Sequence, residues 1–255
     1  MTTPPPIEPA AEAAGADTAS TTPTAATAGA DLADAPPEDA DGDLRAADGR
    51  VPGRRGRATR QKLLEQTAEM VQSTSYRDLK VVDIARGAGT SPATFYQYFP
   101  DVEAAILVLA EEMAQAGMDL SAYVRQGSWK GKAGYATATG LVDTFLDFWE
   151  EHRSLLRVVD LATLEGDQRF RQLRTRFTHE LTVSLSEVID QFRKDGRHPD
   201  DTDPMATGGV LVSMLGQVAA HRYGFEFWGI RTDDTRRSMA RIIYTAVTGQ
   251  KPPAG

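Results

Sequence analysis

Ten residues in the first half of the chain, TSPATFYQYF at positions 90–99, carry the side chains best suited to a chemical task. Phe95 and Phe99 are four residues apart, so on a helix they share one face and are predicted to point into a core. Tyr96, Gln97 and Tyr98 then face away from that core with two hydroxyls and an amide. Such groups form hydrogen bonds with phosphates and base edges, and this spacing therefore indicates DNA recognition.

Other kinds of chemistry lack the residues that they require. The chain has no cysteine, which excludes disulfides, thiolate metal sites and cysteine nucleophiles. His179 opens the sequence HELTV, but Val183 stands where a zinc-protease motif has its second histidine. We therefore predict no metal, no cofactor and no enzymatic activity.

The residues around the aromatic stretch predict two short helices joined by a turn. Ser91 is a good N-cap, and Pro92 suits the first helical position, where its missing N–H is not needed. A shorter apolar run beginning at Val81 ends at the sequence Gly87-Ala88-Gly89. Two short helices with a glycine-containing turn between them are typical of a helix-turn-helix.

Charge is distributed unevenly along the chain. Residues 1–50 contain ten acidic side chains and two arginines, a sum of 2 − 10 = −8, which equals the formal net charge of the whole chain. Arg54, Arg55, Arg57, Arg60 and Lys62 follow at once with no acid among them, and they predict a basic arm. The arm is interpreted as a contact to phosphates or the minor groove, with a merely solvated basic run as the alternative.

The predicted DNA-facing set combines three arginines of this arm, Lys80 and the second short helix, whose small first residues allow close approach to base edges. The set is Arg54, Arg55, Arg57, Lys80, Ser91, Pro92, Ala93, Thr94, Tyr96, Gln97 and Tyr98. For Tyr96 and Tyr98 the alternative is partial burial against neighbouring helices.

Apolar periodicity predicts an all-α protein with no sheet. Helix one is expected at about 57–73, and a longer helix is expected to run from Asp101 to about Leu120. Further helices are predicted at 135–151, 153–162, 168–194, 204–224 and 232–248. Residues 1–52 are rich in alanine, proline, threonine and aspartate and are expected to be disordered. The acidic tail either competes with phosphates for the basic arm or serves only for solubility.

Residues 58–105, with an Asp-Ile-Ala step, an Ala-Gly turn, a serine, an aromatic pair and a closing phenylalanine, resemble the DNA-binding domain of TetR-family transcriptional regulators of the actinobacterial type. Two positions depart from the family pattern. Lys80 replaces the usual serine or threonine cap of the second helix, and Asp101-Val102 replaces a common Ser-Lys pair that contacts phosphate.

The resemblance implies an N-terminal three-helix DNA-binding domain at 53–101, a helical ligand-binding and dimerisation domain at 102–249, and a flexible C-terminus at 250–255. It implies a homodimeric repressor that binds a palindromic double-stranded operator and is released by a small hydrophobic effector, with an acyl chain as one candidate. Aromatics that would line the effector pocket are Phe145, Phe148, Trp149, Phe177, Phe225 and Trp228. Small and apolar residues that would form the dimer seam are Gly208, Gly209, Gly216, Ala220, Met239 and Ile243.

Two other functions stay open at this point. One is a helical small-molecule enzyme, and the other is a nucleoid-associated protein that binds DNA without regard to sequence. The chain has no apolar run long enough to span a membrane and no signal-peptide pattern, so a soluble cytoplasmic protein is expected.

Overall fold

The computed structural model describes residues 53–253, so the predicted acidic tail at 1–52 and the last two residues of the predicted flexible C-terminus lie outside the described chain. Within the described range every regular element is a helix, as the periodicity predicts. The α-helices are α1 (Arg54–Ser73), α2 (Val81–Gly87), α3 (Pro92–Tyr98), α4 (Val102–Ala116), α5 (Met118–Gln126), α6 (Gly131–Glu151), α7 (Arg153–Leu164), α8 (Gln168–Lys194), α9 (Pro204–Phe227) and α10 (Thr232–Thr248). A 3-10 turn spans Tyr76–Asp78. In this part of the chain no helix has the length and apolar character that crossing a bilayer requires.

Helix α1 begins at Arg54, three residues before the predicted start. The predicted basic arm is therefore the first three turns of α1, with Gly53 as the N-cap residue. Apolar periodicity missed residues 54–56 because the helix becomes amphipathic only at Leu63, whereas arginine is a good helix former without being apolar.

The single helix predicted from 101 to about 120 is wrong, because the structure divides it into α4 and α5 at Gly117. Gly117 is buried, and a Cβ at this position would lie 2.3 Å from Cε2 of Phe177 on α8. Only glycine allows the α4–α5 junction to pass so close to the Phe177 ring. The requirement comes from a residue 60 positions along the chain, so local periodicity did not reveal it.

The N-terminal helices share one apolar core with parts of the later helices. Phe95 and Phe99 point into a core, as predicted, where they pack with residues of α1, α2 and α4. The same cluster includes Val159 of α7 and Phe170 of α8. The core of the helix-turn-helix thus continues beyond residue 101 onto α4, α7 and α8. The boundary at 101/102 stays a prediction about a division of function.

The second core joins α5, α6, α8, α9 and α10. Met239 and Ile243 lie inside it, with Ile243 fully buried, so the prediction that they contact a second chain is wrong. Gly208 is buried as well, and a Cβ there would lie 2.8 Å from the Thr182 carbonyl oxygen of α8. Gly208 therefore allows α8 and α9 to pack closely within one protomer, and its lack of a side chain serves this contact within the chain.

Candidate nucleic-acid interface

The turn between α2 and α3 is closed by backbone hydrogen bonds and by a side-chain cap. The Thr90 N–H donates to the Ala85 carbonyl at 2.8 Å, and Gly89 adopts a φ of 68°, which favours glycine. Ser91 caps α3, since its Oγ accepts from the Thr94 N–H at 3.2 Å, and Pro92 occupies the first turn. The helix start that the sequence predicts is confirmed.

Two phenylalanines hold α3 from behind. Phe95 and Phe99 are buried, and their ring centroids are 5.5 Å apart. The Arg60 guanidinium of α1 lies 5.3 Å from the centroid of the Phe99 ring, a cation–π contact that connects α1 to the end of α3. The orientation of α3 is therefore fixed by the core.

The opposite side of α3 is open to solvent. Ser91, Pro92, Ala93 and Gln97 are exposed, and 54% of Tyr96 is accessible. The N-terminal end of α3 and its outer side therefore face solvent, with small residues at positions 91–93 and hydrogen-bonding side chains at Tyr96 and Gln97.

Tyr98 is less exposed than the sequence predicts. It is only half-exposed, and its ring packs against the core of the N-terminal helices. Position 98 is three residues after Phe95, so its side chain flanks the apolar face of α3 instead of opposing it. Thr94 is half-exposed for a different reason: its hydroxyl lies 3.0 Å from the Ser91 hydroxyl.

Lys80 occupies the N-cap position of α2 and makes no side-chain cap hydrogen bond. Its side chain is exposed, so the ammonium group is accessible to an anion. Asp83 lies in the first turn of α2, where its negative charge interacts favourably with the helix dipole. Arg86 Nη1 lies 3.4 Å from Asp83 Oδ1. The absence of a side-chain cap at this position agrees with the departure noted in the sequence.

The first three turns of α1 present a second cationic surface. Arg54, Arg55, Arg57 and Lys62 are exposed, and none of them forms an ion pair with a described residue. No acid lies in the first turn of α1, whose N-terminus adds the positive end of the helix dipole. We call these four residues the cationic end of α1.

Ion pairs connect the N-terminal helices to the α7–α8 loop and to the first turn of α8. Arg77 Nε donates to Glu165 Oε1 at 3.0 Å, and Arg169 Nη1 lies 3.5 Å from Asp101 Oδ2. Asp101 also caps α4, because its Oδ1 accepts from the Ala104 N–H. Asp101, which stands where the family pattern commonly has a phosphate-contacting pair, thus makes its contacts within the chain.

Ionisation at this junction is shifted by the same contacts. The Arg169 guanidinium, 2.7 Å from Asp167 Oδ2, holds the pKa of Asp167 below its usual range. Burial and the neighbouring Glu103 carboxylate raise the pKa of the Tyr76 phenol, whose hydroxyl donates to Glu103 at 3.2 Å. Sequence reasoning missed this junction because Arg77 and Glu165 are 88 positions apart and neither belongs to a motif.

The predicted pocket aromatics form three separate pairs. Phe145 stacks on Trp149 with centroids 6.1 Å apart, and Phe148 stacks on Phe177 at 5.6 Å. Phe225 meets Trp228 edge-on at 6.0 Å, and 71% of Trp228 is exposed. The six rings thus contact one another in pairs, and their role as the lining of an effector pocket stays a prediction.

A shallow groove lies between α6, the end of α9 and the start of α10, and of the predicted aromatics it includes Phe225. Its lining is Leu146, Val218, Arg222, Phe225, Glu226, Ile230, Thr232 and Thr235. Among the described residues no group of three or more metal-ligating side chains comes together.

Of the predicted dimer seam, Ala220 is exposed, and Gly209 and Gly216 are half-exposed on α9. Larger apolar residues accompany them: Val210 is 67% exposed, and Met205 and Ile242 are each about half exposed. The outer sides of α9 and α10 thus carry unpartnered apolar residues within the protomer.

The all-α fold, with α2 and α3 forming a helix-turn-helix whose α3 faces solvent, defines the chain as an all-α helix-turn-helix protein. A family model described as "Bacterial regulatory proteins, tetR family" matches residues 63–104, and one described as "Tetracyclin repressor-like, C-terminal domain" matches residues 120–254. The chain belongs to the TetR family, as its recognition-helix motif predicts.

Curated relatives are named as transcriptional regulators. An uncharacterized HTH-type transcriptional regulator of Haemophilus influenzae is 27% identical over 132 residues, which is 51% of this chain and 63% of that protein. The HTH-type transcriptional regulator EthR of Mycobacterium tuberculosis is 28% identical over 145 residues, 54% of this chain and 62% of EthR. The matches thus span less than two thirds of either relative.

Solved structures share the fold at low identity. The fatty acid degradation regulator FadR from Bacillus halodurans superposes with a TM-score of 0.55 over 78% of this chain and 97% of its own, at 14% identity. A likeness of this kind establishes the arrangement of helices.

Proposed function

We propose that the protein is a ligand-responsive transcriptional regulator that binds a palindromic operator as a homodimer and acts as a repressor. The observation that carries the proposal is α3: two buried phenylalanines fix its orientation, while Tyr96, Gln97 and the small residues at its start face solvent. A rigid helix with exposed hydrogen-bonding groups is the geometry by which helix-turn-helix proteins read the major groove.

Each part of the surface has a separate role in this proposal. Gln97 and Thr94 contact base edges, and the Thr94 methyl or Pro92 meets a thymine methyl group. Tyr96, Tyr98 and Lys80 contact phosphates, which position the helix without reading sequence. The cationic end of α1 supplies further phosphate or minor-groove contacts.

Dimerisation sets the spacing of two recognition helices, which must be about 34–36 Å apart to enter successive major grooves. The exposed apolar residues of α9 and α10 support a dimer interface on these two helices. After Phe227 and Trp228 at the end of α9, the most accessible of them are Val210 and Ile242. Replacing Val210 by Glu should yield a monomer in size-exclusion chromatography with light scattering. The matched control is Leu164→Glu, which places a charge at an exposed apolar residue of α7 and should leave the dimer intact.

The effector is proposed to be a small hydrophobic molecule, for which an acyl chain is one candidate. The Phe148–Phe177 stack supports a site beside the α4–α5 junction, since Gly117 lies directly against Phe177. A ligand that separates these rings would displace α4, whose first residues belong to the core behind α3. A coupling of about 1–3 kcal/mol changes operator affinity about 5- to 150-fold.

The test begins with selection of bound sequences from a random duplex library by the full-length protein, followed by anisotropy titrations on the enriched duplex. Gln97→Ala should weaken and broaden sequence preference, with a loss of about 1–3 kcal/mol in discrimination if Gln97 pairs with a base. The matched control is Gln72→Ala, another exposed amide, on α1. Failure to enrich any sequence would favour nonspecific DNA binding, and no DNA binding at all would overturn the proposal.

A further inference from the structure

The helix-turn-helix is attached at both of its ends to the same short connection between α7 and α8. Arg77, in the 3-10 turn before α2, donates through Nε and Nη2 to Oε1 of Glu165, with an Nε–Oε1 distance of 3.0 Å. Asp101, just after α3, has its Oδ2 atom 3.5 Å from Nη1 of Arg169. Both attachments therefore end on one segment of five residues, and we call Glu165 and Arg169 the clamp.

The two ends of the helix-turn-helix are also joined to each other. The Tyr76 hydroxyl donates to Oε1 of Glu103 at 3.2 Å, which links the turn before α2 to the first turn of α4. The start of the unit, its end and the clamp thus form a closed set of contacts around α2 and α3. Contacts at separate points restrain the rotation of a unit as well as its translation.

The clamp arginine is held in position by a neighbouring carboxylate. Asp167 Oδ2 lies 2.7 Å from Arg169 Nη2, and Asp167 Oδ1 accepts from Arg169 Nε at 3.2 Å. Asp167 Oδ1 also accepts from the Arg169 N–H and so caps α8. Because the guanidinium is planar, contacts along one edge fix the direction in which the remaining N–H groups point toward Asp101.

Apolar packing alone restrains the angle of the helix-turn-helix less well. Helices α2 and α3 rest on α1 and on each other, and their buried side chains belong to the N-terminal core. The hydrophobic effect has no preferred direction, so a small rotation that keeps these side chains buried costs little. Charge-assisted hydrogen bonds are directional and weaken as their angle changes. The ion pairs therefore select one angle among those that the core allows.

We propose that Glu165 and Arg169 are positioning residues that set the spacing between the two half-sites of the operator. The inference rests on the proposed homodimeric function. A clamp that holds α3 at one angle in each protomer holds the two recognition helices at one separation, because the dimer axis repeats the same angle in both protomers. Neither residue contacts DNA itself.

The strength of the clamp limits the selectivity for spacing that it provides. A duplex whose half-sites are wrongly spaced can bind when one protomer releases its clamp, which breaks two ion pairs. An exposed pair changes an equilibrium constant about 1.4- to 5-fold, so two pairs supply about 2- to 25-fold. We therefore expect the clamp to account for about fivefold of the preference for one spacing.

The test variant carries Glu165→Ala and Arg169→Met. It breaks both attachments, leaves the Asp101 cap of α4 in place and does not change the net charge. Its affinity is measured on the enriched duplex and on duplexes whose spacer is longer or shorter by a single base pair. The ratio of these affinities should fall about fivefold relative to the parent protein. An unchanged ratio would overturn the proposal.

A matched control breaks two comparably exposed ion pairs that do not reach the N-terminal helices. Asp160→Ala removes the pair with Arg174, at 2.7 Å between α7 and α8, and Arg125→Met removes the pair with Glu187, at 3.1 Å between α5 and α8. The net charge again stays the same. The control should keep the ratio of the parent protein, and an equal fall in both variants would assign the effect to general loosening and overturn the proposal.

A measurement without DNA keeps this inference separate from the proposed function. The chain has no cysteine, so Val82→Cys on α2 and Gln172→Cys on α8, both at exposed positions, give two sites for nitroxide labels. Pulsed double electron–electron resonance, with labelled protein diluted in unlabelled protein, measures the distance between them within one chain. The distance distribution should widen in the clamp variant and stay unchanged in the control variant.

The outcomes of this measurement are distinct. Equal widths in the parent protein and both variants would exclude the clamp, whether or not the protein binds DNA. A wider distribution in the clamp variant of a protein that binds no duplex would contradict the regulator function alone and would support the restraint of α2 and α3 by the clamp.

Discussion

Arg169, in the first turn of α8, lies 3.5 Å from Asp101, the residue that ends the segment after α3 and caps α4. One carboxylate therefore both caps α4 and connects the segment after α3 to the first turn of α8. Together with the Arg77–Glu165 pair, it makes the orientation of the DNA-binding helices depend on α7 and α8. These pairs are partly exposed, so their value lies in geometry more than in stability.

The two roles of Asp101 are separable by substitution. Asp101→Ala should lower the free energy of unfolding by about 1 kcal/mol, because the Ala104 N–H loses its acceptor. Asp101→Asn retains the cap and should retain most of that stability. Urea unfolding followed by circular dichroism distinguishes them; equal losses in both variants would assign the stability to the Arg169 pair.

Adjacent residues of α3 should behave in opposite ways. Phe95→Ala removes a fully buried ring and should cost about 3–5 kcal/mol of stability. Tyr96→Ala should change stability by no more than about 0.5 kcal/mol and should weaken DNA binding instead. Unfolding curves and duplex titrations of the same two variants check this, and a strongly destabilised Tyr96 variant would show that its ring supports the fold.

Ser91 allows a test of the N-terminus of α3. Ser91→Ala removes the acceptor for the Thr94 N–H and should destabilise the protein by about 1 kcal/mol. Ser91→Asp keeps a cap but places a negative charge toward the proposed phosphate backbone, so it should preserve stability and weaken DNA binding. Undiminished binding by the aspartate variant at low salt would move the DNA contact away from this end of α3.

Acid should weaken the junction at the start of α8. The pKa of Asp167 is lower in the folded protein than the ordinary aspartate value of about 3.9, so its pairing with Arg169 stabilises the fold above that value. This contribution is lost as the pH falls through the lower, folded pKa. Asp167→Asn should cost about 1 kcal/mol at neutral pH and reduce the loss of stability on acidification. Urea unfolding of the parent protein and of Asp167→Asn at several pH values measures this difference. If the free energy of unfolding fell equally with pH in both proteins, the assignment would be contradicted.

The contact between Gly117 and Phe177 predicts a compensating pair of substitutions. Gly117→Ala should destabilise by about 1–3 kcal/mol, because the new methyl group would lie 2.3 Å from the Phe177 ring. Adding Phe177→Ala should relieve the clash, so the double variant should be more stable than the sum of the single changes predicts. Simple additivity in thermal and urea unfolding would show that the α4–α5 junction does not depend on this contact.

The amino-acid sequence by itself determined the helical class, the helix-turn-helix and the α3 start, because these depend on local patterns. Ser91, Pro92 and the four-residue spacing of Phe95 and Phe99 act within one or two turns of helix, where side-chain periodicity and capping chemistry apply. The same locality made the family recognisable from residues 58–105.

Only the tertiary structure decided features that depend on residues distant in the chain. The Phe177 ring leaves no room for a side chain at Gly117, and Arg169 pairs with Asp101. The core that α10 forms with α6, α8 and α9 buries Met239 and Ile243. An amphipathic pattern shows that a helix has an apolar face, but not whether the partner of that face is the same chain or another. Packing chooses the partner, since it depends on the positions of all helices at once.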